Sequence, residues 1–399
     1  MWLYLWRDCH KREIRMEYQQ DRTWLEISLD NLVHNFHVLS GLTRPGCPVL
    51  AVVKCNGSGF GALRVARELE TAGCRFFGVA TVEEAVELRE GGITQPILVF
   101  GAPNPAHTAL CARLGITLPV FDHAQAAALA GAAACRNLQI DVHMKVDTGL
   151  SRYGIALDKD MDGAVRQAME IASLKGVRLK GVFSHAANAG EPADDDFTLR
   201  QFSLFTSFTN QLAKPGLRLI RHFANSPATL RFPEMHLDMV RTAGALNGFS
   251  PIRRSDLPLR EVASLRTRIV YVRHLRPGDS LSYSRLFTAS RETRLAIVPV
   301  GYGDGIPRLV GGRVSFLVRG KPAPLVGKLC MDMSFVDITD IPEADTGDVV
   351  TVFGEDNGAF QSVYAIADLF PGSGPEVTSV LGNRIPRFYV RDGKIGEGA

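Results

Sequence analysis

Long hydrophobic runs are missing from this 399-residue sequence. None approaches the ~18 apolar residues that a membrane-spanning helix needs, which excludes an integral helical membrane protein. Charge of one sign is missing too. Forty-five Lys and Arg face 42 Asp and Glu, a net +3, far from the balance of a nucleic-acid scaffold. Cysteine is sparse and unpatterned: Cys9, Cys47, Cys55, Cys74, Cys111, Cys135 and Cys330 are odd in number and lack metal-type spacing. That pattern points to a reducing, cytoplasmic compartment. No His-x-His pair occurs among the ten histidines, so the ligand pair expected of a metal-dependent barrel hydrolase is absent and no metal is expected. A signal peptide is not expected either, because the apolar stretch MWLYLW is short, precedes its charges and has no small-residue cleavage site after it. Residues 1–15 read as an extension, with Met16 an alternative start. Internal repeats, low-complexity segments and long linkers are absent as well.

What is present is ordinary globular composition, 46% hydrophobic and 22% charged, in a length that suggests two domains. From about Thr23 to Arg241, short apolar runs alternate with amphipathic stretches. The runs are Val49–Lys54, Phe76–Ala80, Ile97–Gly101, Ile116–Phe121, Leu138–Asp147, Leu179–His185, Leu219–Asn225 and Leu237–Arg241. Helical patterns lie between them, such as Ala62–Ala72, Val82–Glu90, Ala124–Ala134, Asp160–Ser173 and Phe197–Leu212. Buried parallel strands read as near-continuous apolar runs, and eight of them, each followed by a helix, count out a (β/α)8 TIM barrel. A doubly wound sheet is the alternative, and the count favours the barrel. After about Ile252 the pattern becomes strands separated by turn clusters: Val262–Leu275, Thr293–Val300, Arg313–Arg319, Ala323–Leu329, Ser334–Ile338 and Val349–Phe353. The expected organisation is an α/β protein: an extension over 1–22, a barrel over 23–255 and a mostly-β domain over 256–399.

Barrel chemistry sits at the C-terminal ends of the strands. Lys54 ends the first run, Lys145 lies in the fifth, His185 ends the sixth, Asn225 and Ser226 follow the seventh, and Arg241 ends the eighth. Only ten lysines exist, and two of them close apolar strands. Taken singly, each is as readily a snorkelling side chain. Together, two lysines, a histidine and an arginine at one mouth are costly to desolvate unless something anionic binds there. A lysine beside other cations has a lowered pKa and can form a Schiff base with a carbonyl. FANSPATLRF and RTAGALNG then offer small-residue loops and a helix start for a phosphate, where barrels often bind one. The combination indicates a phosphorylated aldehyde cofactor, pyridoxal 5'-phosphate.

Nine segments carry a family resemblance: AVVKCNG at 51–57, KVDTGLSRYG at 145–154, SHAANAG at 184–190, HFANSPATLRFP at 222–233, MVRTAG at 239–244, LSYSRLF at 281–287, VGYGDG at 300–305, VGKLCMDM at 326–333 and NRIPRFY at 383–389. Each alone is weakly specific. In this order and spacing, over nearly the whole chain from Thr23 to Tyr389, they resemble the alanine racemases, bacterial isomerases that supply D-alanine for cell-wall precursors.

The resemblance implies a two-base mechanism. The lysine matching Lys54 binds the cofactor covalently and is the base on one face of the substrate. The tyrosine matching Tyr283 is the base on the other face, contributed by the second subunit of a homodimer. Arg241 then partners the cofactor's pyridine nitrogen. His185 packs near the ring and contacts Tyr283, and His222 orients Arg241. Asn225, Ser226 and the backbone of Ala243 and Gly244 belong to the cofactor site. Lys145 matches a lysine that is N-carbamylated (N6-carboxylysine) in much of the family, an anion able to hold Arg152. Asp147 is the alternative relief for that like-charge pair. Arg152 and the Met331 N–H would meet the substrate carboxylate, with Tyr302 at the entrance and Arg308 further out. Departures stand out at four residues. Ser58 and Asn383 occupy positions where the family usually has phosphate-bonding tyrosines, with Phe60 replacing a nearby histidine, and Gly190 replaces an acidic residue. An amide at Asn383 leaves room and can bond a hydroxyl, so serine is the alternative substrate. The rivals are a barrel decarboxylase using the same cofactor and a cofactor carrier without turnover. LSYSRLF and the CMD segment argue against the first, and the added β domain against the second.

Overall fold

A computed structural model describes residues 22–396 apart from 214–216, 251, 253–256 and 371. The expected N-terminal extension, apart from Arg22, therefore lies outside the described residues. The described residues divide into two compact units, one formed by 22–30 with 261–396 and the other within 31–260.

In the second unit the apolar runs become parallel strands: β2 (Val49–Val52), β3 (Phe76–Val79), β4 (Ile97–Val99), β5 (Ile116–Val120), β6 (Ile140–Asp147), β8 (Val177–Phe183), β9 (Ile220–His222) and β10 (Val240–Thr242). Their order is β10-β2-β3-β4-β5-β6-β8-β9, every pairing parallel. A two-residue strand, β7 (Ile155–Ala156), adds to β6. Between β9 and β10 the ladder is replaced by two backbone bonds, Asp238 N–H to Arg221 O at 3.1 Å and Arg241 N–H to Ala224 O at 3.0 Å. The result is a nearly closed eight-stranded barrel with helices after its strands, the expected fold. The helices start where N-cap chemistry dictates. Thr81 caps Val82–Glu90, Asp122 caps His123–Ala134 and Asp160 caps Met161–Ser173, each side chain accepting a backbone N–H. Strand β6, IDVHMKVD, is buried on both faces, so Lys145 and His143 are forced into a dry interior rather than left to solvent.

The other unit is mostly β. Its strands are β1 (Thr23–Ser28), β11 (Ala263–Arg268), β12 (Tyr271–Leu275), β13 (Ser280–Leu281), β14 (Phe287–Thr288), β15 (Thr293–Val298), β16 (Ser315–Val318), β17 (Lys321–Pro324), β18 (Ser334–Asp337), β19 (Val349–Asp356), β20 (Ala359–Gln361), β21 (Arg387–Arg391) and β22 (Lys394–Gly396). They form an eight-stranded sheet, a three-stranded sheet β12-β15-β18 and the hairpin β13-β14. The expected boundary at Thr23 needs correction: β1 pairs antiparallel with β11 and parallel with β21. Thr23, Trp24, Leu25 and Ile27 are buried along β1, with Glu26 and Ser28 partly so. Val262–Leu275 is two strands, and the strand read over Ala323–Leu329 is 321–324 followed by a bridge at Leu325. Among the described residues no helix is long and apolar enough to cross a membrane.

Candidate active site

The barrel mouth is built around Arg241. Its guanidinium is buried and donates through Nη1 to His222 O (2.8 Å) and His222 Nδ1 (3.1 Å). Through Nη2 it reaches Ser184 O (2.7 Å), Phe223 O (3.1 Å) and His185 Nδ1 (3.1 Å). Every partner is neutral. Burial, and then the charge of Arg152, pull its pKa down to about 9, so it remains a cation at neutral pH. Nε has no partner among the described residues, which leaves one donor of a fixed fork for a ligand acceptor.

An arginine nitrogen only donates, so the facing ring nitrogens must accept, and this sets the tautomers. His222 accepts at Nδ1 and carries its proton on Nε2, which lies 2.8 Å from His143 Nδ1. His185 accepts at Nδ1 from Arg241 at 3.1 Å; its Nε2 lies 3.4 Å from the Asn225 amide nitrogen, which also only donates, so the shorter Arg241 contact sets the proton on Nε2. All three rings are held neutral. Burial and then Arg241 push His143 down to about 3, and burial, Arg241, His143 and Lys145 push His222 well below its ordinary value. For His185 the causes after burial are Arg241, Arg152, Lys145 and Lys54, so all four cations act on one ring.

Phe183 supplies the apolar floor. His222 stacks on it at 5.0 Å and 7°. The Lys145 ammonium lies 5.6 Å and the Arg241 guanidinium 5.7 Å from its centroid. Lys145 is 3% exposed, and its one hydrogen bond among the described residues is Nζ to Val146 O at 2.7 Å. Burial, then Arg241, lower its pKa to about 7, with Asp147 opposing and Arg152 adding. The Asp147 carboxylate relieves part of this by its charge while it accepts the N–H groups of Gly149, Leu150 and Ser151 at 3.0–3.1 Å and so shapes the turn that carries exposed Arg152. Gly154 closes the same loop with φ +111°, and a Cβ there would lie 2.5 Å from Lys145 O.

Lys54 is exposed at the end of β2, where the chain enters a left-handed turn. Cys55, Asn56, Gly57 and Ser58 have φ of 53°, 53°, 64° and 59°, a conformation that costs ~1–2 kcal/mol for each residue other than glycine. Ser58 is buried in that turn, and Phe60, completely buried, packs on Phe249 at 6.4 Å. Across the mouth, Asn225 caps Ser226–Arg231 through Oδ1 to Ala228 N–H at 3.1 Å, and its amide donates to Ala186 O at 3.0 Å. Ser226 Oγ accepts Ala243 N–H at 3.2 Å. The N–H groups of Ser226 and Gly244 have no acceptor among the described residues, which is what a phosphate cradle requires.

Lys54, Lys145, Arg152, His185, His222, Asn225, Ser226, Arg241, Ala243 and Gly244 thus belong to one unit. Tyr283, Tyr302, Arg308, Met331 and Asn383 belong to the other. There Tyr283 is 60% exposed, on a turn flanked by Ser282 (φ 61°) and Ser284 (φ 62°) that is held by Ser282 Oγ to Lys328 O at 2.7 Å and Lys328 Nζ to Ser284 Oγ at 2.9 Å. The Arg308 guanidinium lies 5.5 Å from the Tyr302 ring. Met331 O accepts Gly303 N–H at 2.8 Å, joining the Tyr302 and Met331 loops. Asn383 is exposed. Sequence reading missed His143 and Phe183. The signal for His143 was its place two residues before Lys145 in one strand, on the same face.

Comparison with known proteins follows the same division. Residues 27–251 match the alanine racemase N-terminal domain and 262–389 the C-terminal domain. Alanine racemase 1 of Caldanaerobacter subterraneus subsp. tengcongensis is 37% identical over 94% of this chain and 97% of its own. Among solved structures, alanine racemase of Clostridium difficile 630 superposes with TM-score 0.88 at 29% identity, covering 94% of this chain and 97% of that one. Alanine racemase of Bartonella henselae, solved with covalently bound pyridoxal phosphate, gives TM-score 0.83 at 25% identity over 92% and 99%.

Proposed function

The chain belongs to the alanine racemase family, and from that premise we propose that it interconverts L- and D-alanine on pyridoxal phosphate held at the barrel mouth, with Lys54 and Tyr283 as the two bases. The observation that carries this reading is the buried Arg241, which has five neutral partners, no carboxylate and one unspent donor. A site so organised suits a ligand with an uncharged ring acceptor. The donor set fits the cofactor: Arg241 Nε for its ring nitrogen, Ser226 and Gly244 N–H for its phosphate, and Lys54 for covalent attachment.

When bound, the cofactor supplies an aldehyde for the amine and a ring that delocalises the charge left on removing the α-proton. Lys54 and Tyr283 take and return that proton at the substrate Cα from opposite faces, the minimum for inversion. Arg241 keeps its own proton and therefore leaves the ring nitrogen unprotonated, a weaker electron sink that favours proton exchange over transamination. His185 Nε2–H is a donor for the Tyr283 oxygen. Exposure of Tyr283 on a strained turn suits delivery to a second copy of the chain, so the working form is a homodimer with two composite sites. Arg152 and the Met331 N–H orient the substrate carboxylate. A neutral Lys145 amine is the form that captures carbon dioxide, and the resulting carbamate is the anion that steadies Arg152. Tyr302 narrows the entrance, with Arg308 against its ring. D-alanine for cell-wall precursors, made in the bacterial cytoplasm, is the role that follows.

The test is the visible absorbance of the purified protein, followed by L-alanine in D2O with α-deuterium and enantiomer ratio read by NMR. Wild type should be coloured and yield both enantiomers. Lys54→Ala should lose about 10²–10⁴-fold in rate. A wild type that stays inert after cofactor is added overturns the proposal. L-serine run in parallel addresses Asn383: kcat/KM hundreds of times below that for alanine ends the serine reading.

A further inference from the structure

The residue after Lys54 is held from outside its own segment. Cys55 N–H donates to Glu84 Oε1 at 2.7 Å, while Glu84 Oε2 accepts Ala80 N–H at 2.7 Å and Thr81 N–H at 3.3 Å. One half-buried carboxylate therefore ties the C-terminal end of β2 to that of β3. Glu84 belongs to the capping box of Val82–Glu90, in which Thr81 Oγ1 accepts Glu84 N–H at 3.2 Å. A capping-box glutamate ordinarily serves the start of its own helix. Here its second oxygen leaves the helix and takes the backbone of residue 55.

What it takes is the first residue of the left-handed turn. Non-glycine residues persist in that region only where surrounding structure over-determines them. Asn56 secures the far side, with Oδ1 accepting Ala62 N–H at 2.9 Å. Lys54 stands at the junction of β2 and this turn, so the direction of its side chain depends on where the Cys55 amide is fixed.

We propose that Glu84 is a positioning residue for Lys54: its carboxylate anchors the amide immediately after the lysine and so aims Nζ at the substrate Cα. The proposal rests on the reading of Lys54 as a base. The holoenzyme is compared with Glu84→Ala, with Glu84→Gln and with Thr81→Ala. Gln keeps the length but has one acceptor oxygen and cannot serve both strand ends. Thr81→Ala weakens the same helix cap and leaves the carboxylate in place. In Glu84→Ala, kcat for L-alanine should fall about tenfold to a hundredfold with KM changed less than about threefold. Hydrogen–deuterium exchange of the 53–61 segment should rise about tenfold or more, with Glu84→Gln between it and wild type. Thr81→Ala should leave both within about twofold. Equal losses in Glu84→Ala and Thr81→Ala would assign Glu84 to the helix cap alone and overturn the proposal, as would unchanged exchange in both Glu84 variants. The exchange readout needs no activity. Failure of Lys54 as a base shows separately, as a Lys54→Ala variant that still racemises, and that result removes the proposed purpose of the anchor.

Discussion

Replacing Lys145 with methionine should change how stability depends on pH. The amine is 3% exposed, and burial followed by Arg241 lowers it from 10.5 to about 7. An unfolded chain keeps the lysine near its ordinary value, so between about pH 7 and 10.5 the unfolded state binds a proton that the folded state lacks. Stability then rises with pH across that window. The penalty is present in full below about pH 7 and is relieved as the folded amine deprotonates. At ~1.4 kcal/mol per pH unit the whole gap is worth about 5 kcal/mol as an upper bound, and about 2 kcal/mol of it falls between pH 7 and 9. Methionine keeps the stem and removes the titration. The assay is urea unfolding of both proteins in carbon-dioxide-free buffer, reading the difference in unfolding free energy at each pH. Wild type should gain about 2 kcal/mol on the variant from pH 7 to 9. Added bicarbonate should flatten the curve while a mass gain of one carbon dioxide appears, because a carbamate no longer titrates as an amine. A difference curve flat within about 0.5 kcal/mol over that range, without bicarbonate, would refute the claim that Lys145 is desolvated beside Arg241.

Much of the barrel was legible because its signals are local. The apolar runs that become strands are short, most are followed by a helix, and several end on a residue the site uses, as Val49–Lys54 and Leu237–Arg241 do. The partnership of β1 was not. TWLEIS reads as a strand for any sheet, and its neighbours lie over 230 and 360 residues away in sequence, at Ala263–Arg268 and Arg387–Arg391. No local pattern encodes that choice. Within the site, charged residues at strand ends announced themselves, whereas His143, Phe183 and Glu84 did not. A buried histidine in an apolar strand, a core phenylalanine and a capping-box glutamate each have an ordinary structural use. Their special placement exists only once Arg241, Lys145 and Cys55 have been brought beside them. Asp147 was legible in part: sequence proximity suggested that it relieves some of the clash at Lys145, as its charge does, but not that three backbone N–H groups also hold its carboxylate.

Tyr283→Phe keeps the ring and removes the hydroxyl. Racemisation should fall about 10²–10⁴-fold while α-deuterium still enters one enantiomer without inversion, and equal loss of exchange from both enantiomers would count against two separate bases. Mixing inactive Lys54→Ala and Tyr283→Phe chains should restore activity, since a mixed dimer holds one intact site; no recovery after subunit exchange is demonstrated would place both bases in one chain. His222→Phe preserves the stack on Phe183 but strips the acceptor from Arg241 Nη1 and the donor from His143 Nδ1. Two buried polar groups lose a partner, at about 1–3 kcal/mol each, so urea unfolding should show a loss of about 2–6 kcal/mol. The variant should also respond differently to acid. The His222 ring is held well below its ordinary 6.5 by burial and by Arg241, so below about pH 6.5 the unfolded chain takes up a proton that the folded one refuses, and wild-type stability falls with pH. Phenylalanine removes that proton from the balance, and the acid slope should shrink by ~1.4 kcal/mol per pH unit. A variant as acid-sensitive as wild type would mean that the ring is charged in the fold, and the tautomer chain from Arg241 through His222 to His143 would fall with it.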